Sequence, residues 1–182
     1  MQKIILETPR FILREFSTDD VDGLFLLESN PNVYRYLSIF HPVTGENLYP
    51  PKTSKDEVYP IIENIQKQYE ENGFGRWAII SKDNNDFIGW CGLKVETEIR
   101  KPQVYNDIGY RLREEYWGKG IATETAKACM DYGYNKLNLD TICAAAVKDN
   151  IASDRVLHKI GLKRSEEFIF EGVDCWFYTN LG

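Results

Sequence analysis

The stretch Tyr116-Trp117-Gly118-Lys119-Gly120-Ile121-Ala122-Thr123-Glu124 separates a strand-like run from a helical one. Two glycines let the backbone turn close around a ligand, so that successive N–H groups point into one concavity. The helix that starts there adds unpaired N–H donors and the partial positive charge of its first turn. Together these make a cradle for a phosphate or pyrophosphate. The P-loop pattern fails, because Lys119 is followed by Gly120 and not by Ser or Thr. The dinucleotide fingerprint fails as well: Thr123 stands where its third glycine belongs, and no early parallel βαβ unit precedes it. Taken alone, a Gly-x-Gly turn is more often structural than a ligand site.

Working outward, the period-2 alternation of 76–81, 87–95 and 105–113 predicts three strands, the first two joined through Lys82-Asp83-Asn84-Asn85-Asp86. Beyond the glycines, 120–136 reads as a helix and 140–147 as an apolar strand. A short helix over 150–160 follows, capped by Gly161, and then a hairpin of 164–170 with 173–179 turning at Glu171-Gly172. Toward the N-terminus, 10–16 reads as a strand. Ser17-Thr18-Asp19-Asp20 is the start signal of a helix running to about residue 29, and Pro31 stops it. Val58, Ile61, Ile62, Ile65 and Tyr69 recur at helical period, so 54–72 reads as a helix ending at Gly73, with Pro60 favouring a later start. Between these helices lies 40–54, with Pro42, Gly45, Pro50 and Pro51, a loop of the length that often borders a substrate site. The order β-α-α-β-β-β-α-β-α-β-β predicts one α+β domain over 1–182, with a mixed, mostly antiparallel sheet flanked by helices.

Composition narrows the function classes. The 182 residues carry 22 Lys and Arg against 28 Asp and Glu, a net charge of -6, which gives no basic stripe for nucleic acid. The longest apolar run, 142–147, is far short of the roughly 20 residues that cross a bilayer, so no membrane span is expected. An acid, Glu7, interrupts the N-terminus before any signal-peptide core forms. Cys91, Cys129, Cys143 and Cys175 make no CxxC pair, and His41 and His158 are the only histidines, so no metal is expected. Reduced thiols in a cytoplasmic protein are the simplest reading.

The glycine stretch does not stand alone. The run from Asp107 through Glu124 resembles the acetyl-coenzyme A loop of the GNAT N-acetyltransferases, and looks closest to the branch that acetylates ribosomal-protein N-termini. Thr8-Pro9-Arg10-Phe11-Ile12-Leu13-Arg14 resembles that branch's first strand, and the run from Asn150 through Leu162 its second cofactor motif. The resemblance implies that the strand ending at Arg113 splays from the next one and that the pantetheine arm lies in the gap. Tyr110, Leu112 and Arg113 would line that arm. Gly118, Lys119, Gly120, Ile121, Ala122 and Thr123 would hold the pyrophosphate, and Asn150 and Ser153 would meet the pantetheine end. Two departures stand out. Glu115 occupies a position where the wider family has Gln or Arg. Leu157 occupies the position of the tyrosine that is often the acid for the departing thiolate, which leaves Ser153, one turn earlier, as the candidate proton donor.

The implied reaction is direct attack of a neutral amine on the thioester. A lysine with a pKa of ~10.4 costs about 4.6 kcal/mol to deprotonate at pH 7, an α-amine near ~7.8 only about 1. Asp107 is the candidate base because it starts the cofactor strand. Alternation nevertheless sets it with Gly109 and Arg111, opposite Tyr110 and Leu112. The lack of an obvious strong base favours a protein or peptide N-terminal α-amine as acceptor. Two alternatives remain: a small amine (a polyamine, an antibiotic or an amino-acid-like amine), or a non-catalytic acyl-coenzyme A binding module. Acidic side chains lining the acceptor cleft would favour polyamines. His41 could line that cleft. The family implies a monomer or a homodimer.

Overall fold

The computed structural model describes residues 2–37, 40 and 43–181. Its N-terminus forms two strands where the alternation suggests one, β1 (Ile4–Glu7) and β2 (Phe11–Arg14), paired antiparallel. β1 escapes sequence reading because it is a four-residue edge strand whose Ile4 is exposed. Ser17 and Asp20 form a reciprocal capping box, and Asp20 also receives two hydrogen bonds from Arg14, at 2.8 and 2.6 Å. This fixes the entry to α1 (Val21–Glu28). α2 (Tyr59–Asn72) starts later than residue 54: Pro60 occupies its first positions, where a missing N–H costs nothing, and 55–57 make a separate 3-10 turn. Gly73, at φ 77, ends it.

The remaining elements are β3 (Arg76–Ser81), β4 (Phe87–Glu96), β5 (Tyr105–Leu112), α3 (Ile121–Asn135), β6 (Cys143–Val147), α4 (Ile151–Lys159), β7 (Lys163–Phe170) and β8 (Val173–Thr179). Among the described residues eight strands form one sheet in the order β1-β2-β3-β4-β5-β6-β8-β7. All neighbours are antiparallel except β5 and β6. The fold is thus α+β with a mixed, mostly antiparallel sheet, as the element order predicts.

Strand alternation sends side chains to two cores. Leu13, Trp77, Ile79 and Leu93 pack against Ile121, Cys129 and Met130 of α3 and Leu157 of α4. Ala78, Ile80 and Phe87 pack against Leu24 and Leu27 of α1 and Ile62 and Ile65 of α2. Each fully buried leucine or isoleucine contributes about 1.5–3 kcal/mol relative to exposure, so both faces of the sheet are firmly held. The seam between β5 and β6 is not: the two strands share one register pair, Asp107 with Cys143, among the described residues. Past that pair they part, and the opening faces α4.

Candidate active site

β5 and its exit loop are shaped by local hydrogen bonds. The Arg113 N–H bonds to the Ile88 carbonyl at 3.0 Å, toward β4. Backbone groups alternate sides along a strand, so those of Leu112 and Tyr110 face the opening on the β6 side. After a short 3-10 turn, Gly118 and Gly120 take φ 73 and 74, a region costly for other residues. Gly120 is the N-cap of α3 and provides no side-chain cap, so the first N–H groups of α3 stay open. A Cβ added at Gly118 would meet nothing within 4 Å, so the loop surface is clear.

The loop is pinned from outside. The Arg10 guanidinium donates to the Lys119 carbonyl at 3.2 Å from both terminal nitrogens and pairs with Glu124 at 2.7 Å. Trp117 Nε1 donates to the Leu112 carbonyl at 2.8 Å. Asn30 and Asn32 donate to Glu114 at 2.9 Å, tying the loop to the end of α1. Arg113 reaches the Phe87 carbonyl at 2.9 Å and pairs with Glu115. Arg10, Asn30 and Asn32 lie far away in sequence and carried no signal for this role.

The opening between β5 and β6 leads into a cavity of ≈ 420 Å³, within the usual range for small-molecule sites. Its floor includes Tyr110, Ala144, Asn150, Ser153 and Leu157. The Tyr110 hydroxyl lies 2.9 Å from Ser153 Oγ and donates to the Ser153 carbonyl at 3.2 Å. Burial holds the Tyr110 phenol protonated well above its ordinary range, while the hydrogen bond to Ser153 pulls weakly the other way. Asn150 Oδ1 accepts from the Ser153 N–H at 3.1 Å and so caps α4. Leu157, 2% exposed, offers only apolar surface. A hydroxyl therefore does stand beside Ser153, supplied by the strand and not by the helix. Alternation sets Tyr110 on the face opposite Asp107, and only the tertiary fold brings it to Ser153.

The opposite wall is aromatic. Tyr34, Tyr36, Tyr49, Phe168 and Phe170 line it, with Lys52 and Arg111 as its charged side chains. Behind it lies a cluster that sequence reading missed. Glu28, 1% exposed, accepts from the Tyr34 hydroxyl at 2.5 Å and pairs with Arg111 at 2.5 Å. Burial, with the Glu28 carboxylate beside it, pushes the Tyr34 phenol far up. The available signal was Glu28's place on the apolar stripe of α1, one turn after Leu24 and next to Leu27.

Asp107 stands apart from this assembly. Its carboxylate bonds to Arg76, whose guanidinium also donates to the Asp107 carbonyl at 2.9 Å and to the Gly92 carbonyl. Gly109 makes room for that guanidinium: a Cβ there would come within 2.6 Å of it. Burial pushes the Asp107 carboxyl up, against the pull of Arg76. The structure thus brings Tyr110, Asn150 and Ser153 to one cavity, and Asp107 lies outside the lining, in a buried ion pair with Arg76. His41 and Pro42 fall outside the described residues. Cys175 lines the cavity, but burial raises its thiol, which keeps it a weak nucleophile. No helix is long and apolar enough to cross a membrane, and no cluster of three or more His, Cys, Asp or Glu suits a metal, both among the described residues.

Comparison with known proteins gives a consistent picture. The family model described as an acetyltransferase (GNAT) domain matches residues 10–163. The Bacillus subtilis (strain 168) protein named Uncharacterized N-acetyltransferase YoaA is 31% identical over 160 residues, covering 88% of this chain and 83% of its own. The Spermidine N(1)-acetyltransferase of Escherichia coli (strain K12) is 26% identical over 164 residues, covering 87% and 76%. Among solved structures, RimL, a ribosomal L7/L12 alpha-N-protein acetyltransferase, superposes with a TM-score of 0.76 at 19% identity, covering 98% of this chain and 94% of that one. At that identity the likeness is one of fold.

Proposed function

The chain belongs to the GNAT acetyltransferase family, and from that premise we propose that it moves acetyl from acetyl-coenzyme A to a primary α-amine, such as a protein or peptide N-terminus, as one domain spanning the chain. GNAT acetyltransferases act as N-acetyltransferases with acetyl-coenzyme A, whose thioester supplies the activated carbonyl. The observation that carries the reading is the parting of β5 from β6 beside the Tyr110–Ser153 hydroxyl pair.

In this reading the backbone groups of Tyr110 and Leu112, which lack strand partners on the β6 side, orient the pantetheine arm. Arg113 closes that end of the strand. The N–H groups over 118–123, left uncapped at the start of α3, hold the pyrophosphate. Asn150 and Ser153 meet the arm from α4. The Tyr110 phenol stays protonated and, with Ser153, donates hydrogen bonds to negative charge developing on the departing sulfur. The new bond joins the amine nitrogen to the acetyl carbon as the carbon–sulfur bond breaks. The amine proton leaves through water, and the thiolate is protonated through the Ser153–Tyr110 pair, which solvent recharges. Asp107 takes a holding role here, fixing Arg76 and the start of β5.

One feature favours an α-amine. No Asp, Glu or His lines the cavity among the described residues. Without a strong base, an amine that costs about 1 kcal/mol to deprotonate at pH 7 is served far better than one that costs about 4.6. The test is thiol release from acetyl-coenzyme A across peptide N-termini, small α-amines and lysine-type side-chain amines. Faster turnover of α-amines is expected. A thermal shift with acetyl-coenzyme A and no thiol release for any amine would instead leave a non-catalytic binding module.

A further inference from the structure

The acceptor half of the cavity is cationic in a chain whose net charge is -6. Lys52 and Arg111 line it, and no carboxylate does among the described residues. Arg35 stands on the adjoining rim beside Tyr36, and an exposed Asp149 lines the same rim. Arg111 is neutralised by Glu28. Neither Lys52 nor Arg35 has a carboxylate within salt-bridge distance among the described residues, although Lys52 acts on Glu57 from farther off. The Lys52 N–H bonds to the Glu28 carbonyl at 2.8 Å, so the residue is anchored at the cavity wall, with its ammonium within electrostatic reach of Glu57 but not in a close salt bridge.

An aromatic wall alone would suit a cationic amine, because ring faces attract cations. Here the protein's own guanidiniums already cover those faces. Arg111 lies 5.3 Å from the Tyr34 ring, Arg35 lies 5.4 Å from Tyr36, and Arg100 lies 5.4 Å from Phe168. A polycation entering this space meets Lys52 and Arg35, ring faces already occupied by guanidiniums, and, among the described residues, no carboxylate in the lining of the main cavity. An amine that also carries an anion meets the reverse: two cations outside any close salt bridge among the described residues, Lys52 and Arg35, and apolar rings for its carbon framework. The same cations lower the pKa of an ammonium bound near them. That favours the neutral, nucleophilic form without a carboxylate base.

We infer that the acceptor is an α-amine bearing a carboxylate within reach of Lys52 and Arg35, an acidic amino acid or a short acidic peptide, and not a polyamine. This rests on the acetyl-transfer reading above and narrows its substrate class. The chemistry is common to free amino acids and to peptides, so the experiment includes both.

Thiol release is measured with alanyl-glutamate and its neutral isostere alanyl-glutamine, with free glutamate, and with spermidine. A kcat/KM at least tenfold higher for alanyl-glutamate than for alanyl-glutamine is expected, with spermidine slowest. That ratio should fall toward one in Lys52→Met and Arg35→Gln, and as salt rises, while the thermal shift caused by acetyl-coenzyme A persists in both variants. Free glutamate turned over faster than the dipeptide would identify an amino acid as the source; the opposite order would identify a peptide. Equal rates for the two dipeptides, preference for spermidine, or an unchanged ratio in both variants would overturn the inference and leave acetyl transfer standing. Absence of thiol release from every amine would overturn the acetyl-transfer reading, and this inference with it.

Discussion

Tyr110 and Ser153 face one another across β5 and α4 at 2.9 Å, and either hydroxyl can donate to the other. Groups that act as a unit lose function together, so their substitutions do not add. Tyr110→Phe and Ser153→Ala are each expected to lower kcat about 10–100-fold with little change in KM, as for loss of a transition-state hydrogen bond. The double variant should be scarcely worse than either single one; a product of the two single effects, read from steady-state thiol release, would show that the hydroxyls act separately. Glu96 illustrates a residue-scale effect on stability. Burial pushes its carboxyl up, but Lys94 at 2.6 Å and the Glu98 N–H at 2.7 Å outweigh this, and it sits below its ordinary 4.5. A depressed carboxyl contributes stability above its unfolded pKa and loses it as pH falls through the folded value. Urea midpoints of the wild type should therefore fall as pH drops below about 4.5. Glu96→Gln should be less stable at pH 7 and flatter across that range; parallel curves would remove Glu96 from the acid limb.

Two devices act on a few residues at the junction between β5 and α3. Gly118 and Gly120 provide the left-handed turns, and Arg10, just ahead of β2, clamps the Lys119 carbonyl. Gly120→Ala places a Cβ at φ 74 and is expected to cost about 1 kcal/mol of stability. It should also weaken acetyl-coenzyme A binding more than tenfold, by isothermal titration. Arg10→Ala keeps the turn and removes the clamp, so a smaller loss of affinity with nearly unchanged urea stability is expected. If Arg10→Ala unfolds the protein, the guanidinium holds β2 and not the loop. Much of this junction is legible in the sequence, since both the glycines and the helix start obey local backbone rules. The elements from residue 76 onward are legible for the same reason: their period is short and their turns carry Asn, Asp and Gly. The partners of Asp107 and Glu28 are not. Arg76 lies 31 residues from Asp107 and Arg111 lies 83 from Glu28. Sheet register across β3, β4 and β5 brings Arg76 to Asp107, and the packing of α1 on the sheet brings Glu28 to Arg111; no local pattern records either. β1 was hidden for another reason, a four-residue edge strand with exposed ends.

At the scale of the whole molecule the sheet consists of two well-paired blocks, β1 to β5 and β6 to β8, meeting at one register pair. α3 packs on β4 and β5 and also touches α4, so helix packing carries much of the connection between the blocks. A ligand that occupies the opening joins β5 to β6 by hydrogen bonds that the fold leaves unmade. Its binding should then stabilise the molecule globally and protect specific amides locally. At about 100 times the dissociation constant, acetyl-coenzyme A should add roughly 2.7 kcal/mol, a rise in Tm of about 5–10 °C for a chain of this length. Hydrogen exchange distinguishes this from mere tightening. The amides of Tyr110 and Leu112 face the opening and should be among the most strongly protected on binding, together with those over 118–123. The amides of β3 are already paired on both sides, to β2 and β4, and should slow only as far as global stability rises. Protection confined to 118–123, with Tyr110 and Leu112 unchanged, would mean that the coenzyme is held by its pyrophosphate alone. The opening between β5 and β6 would then no longer account for where the thioester lies, and the proton role of Tyr110 and Ser153 would lose its basis.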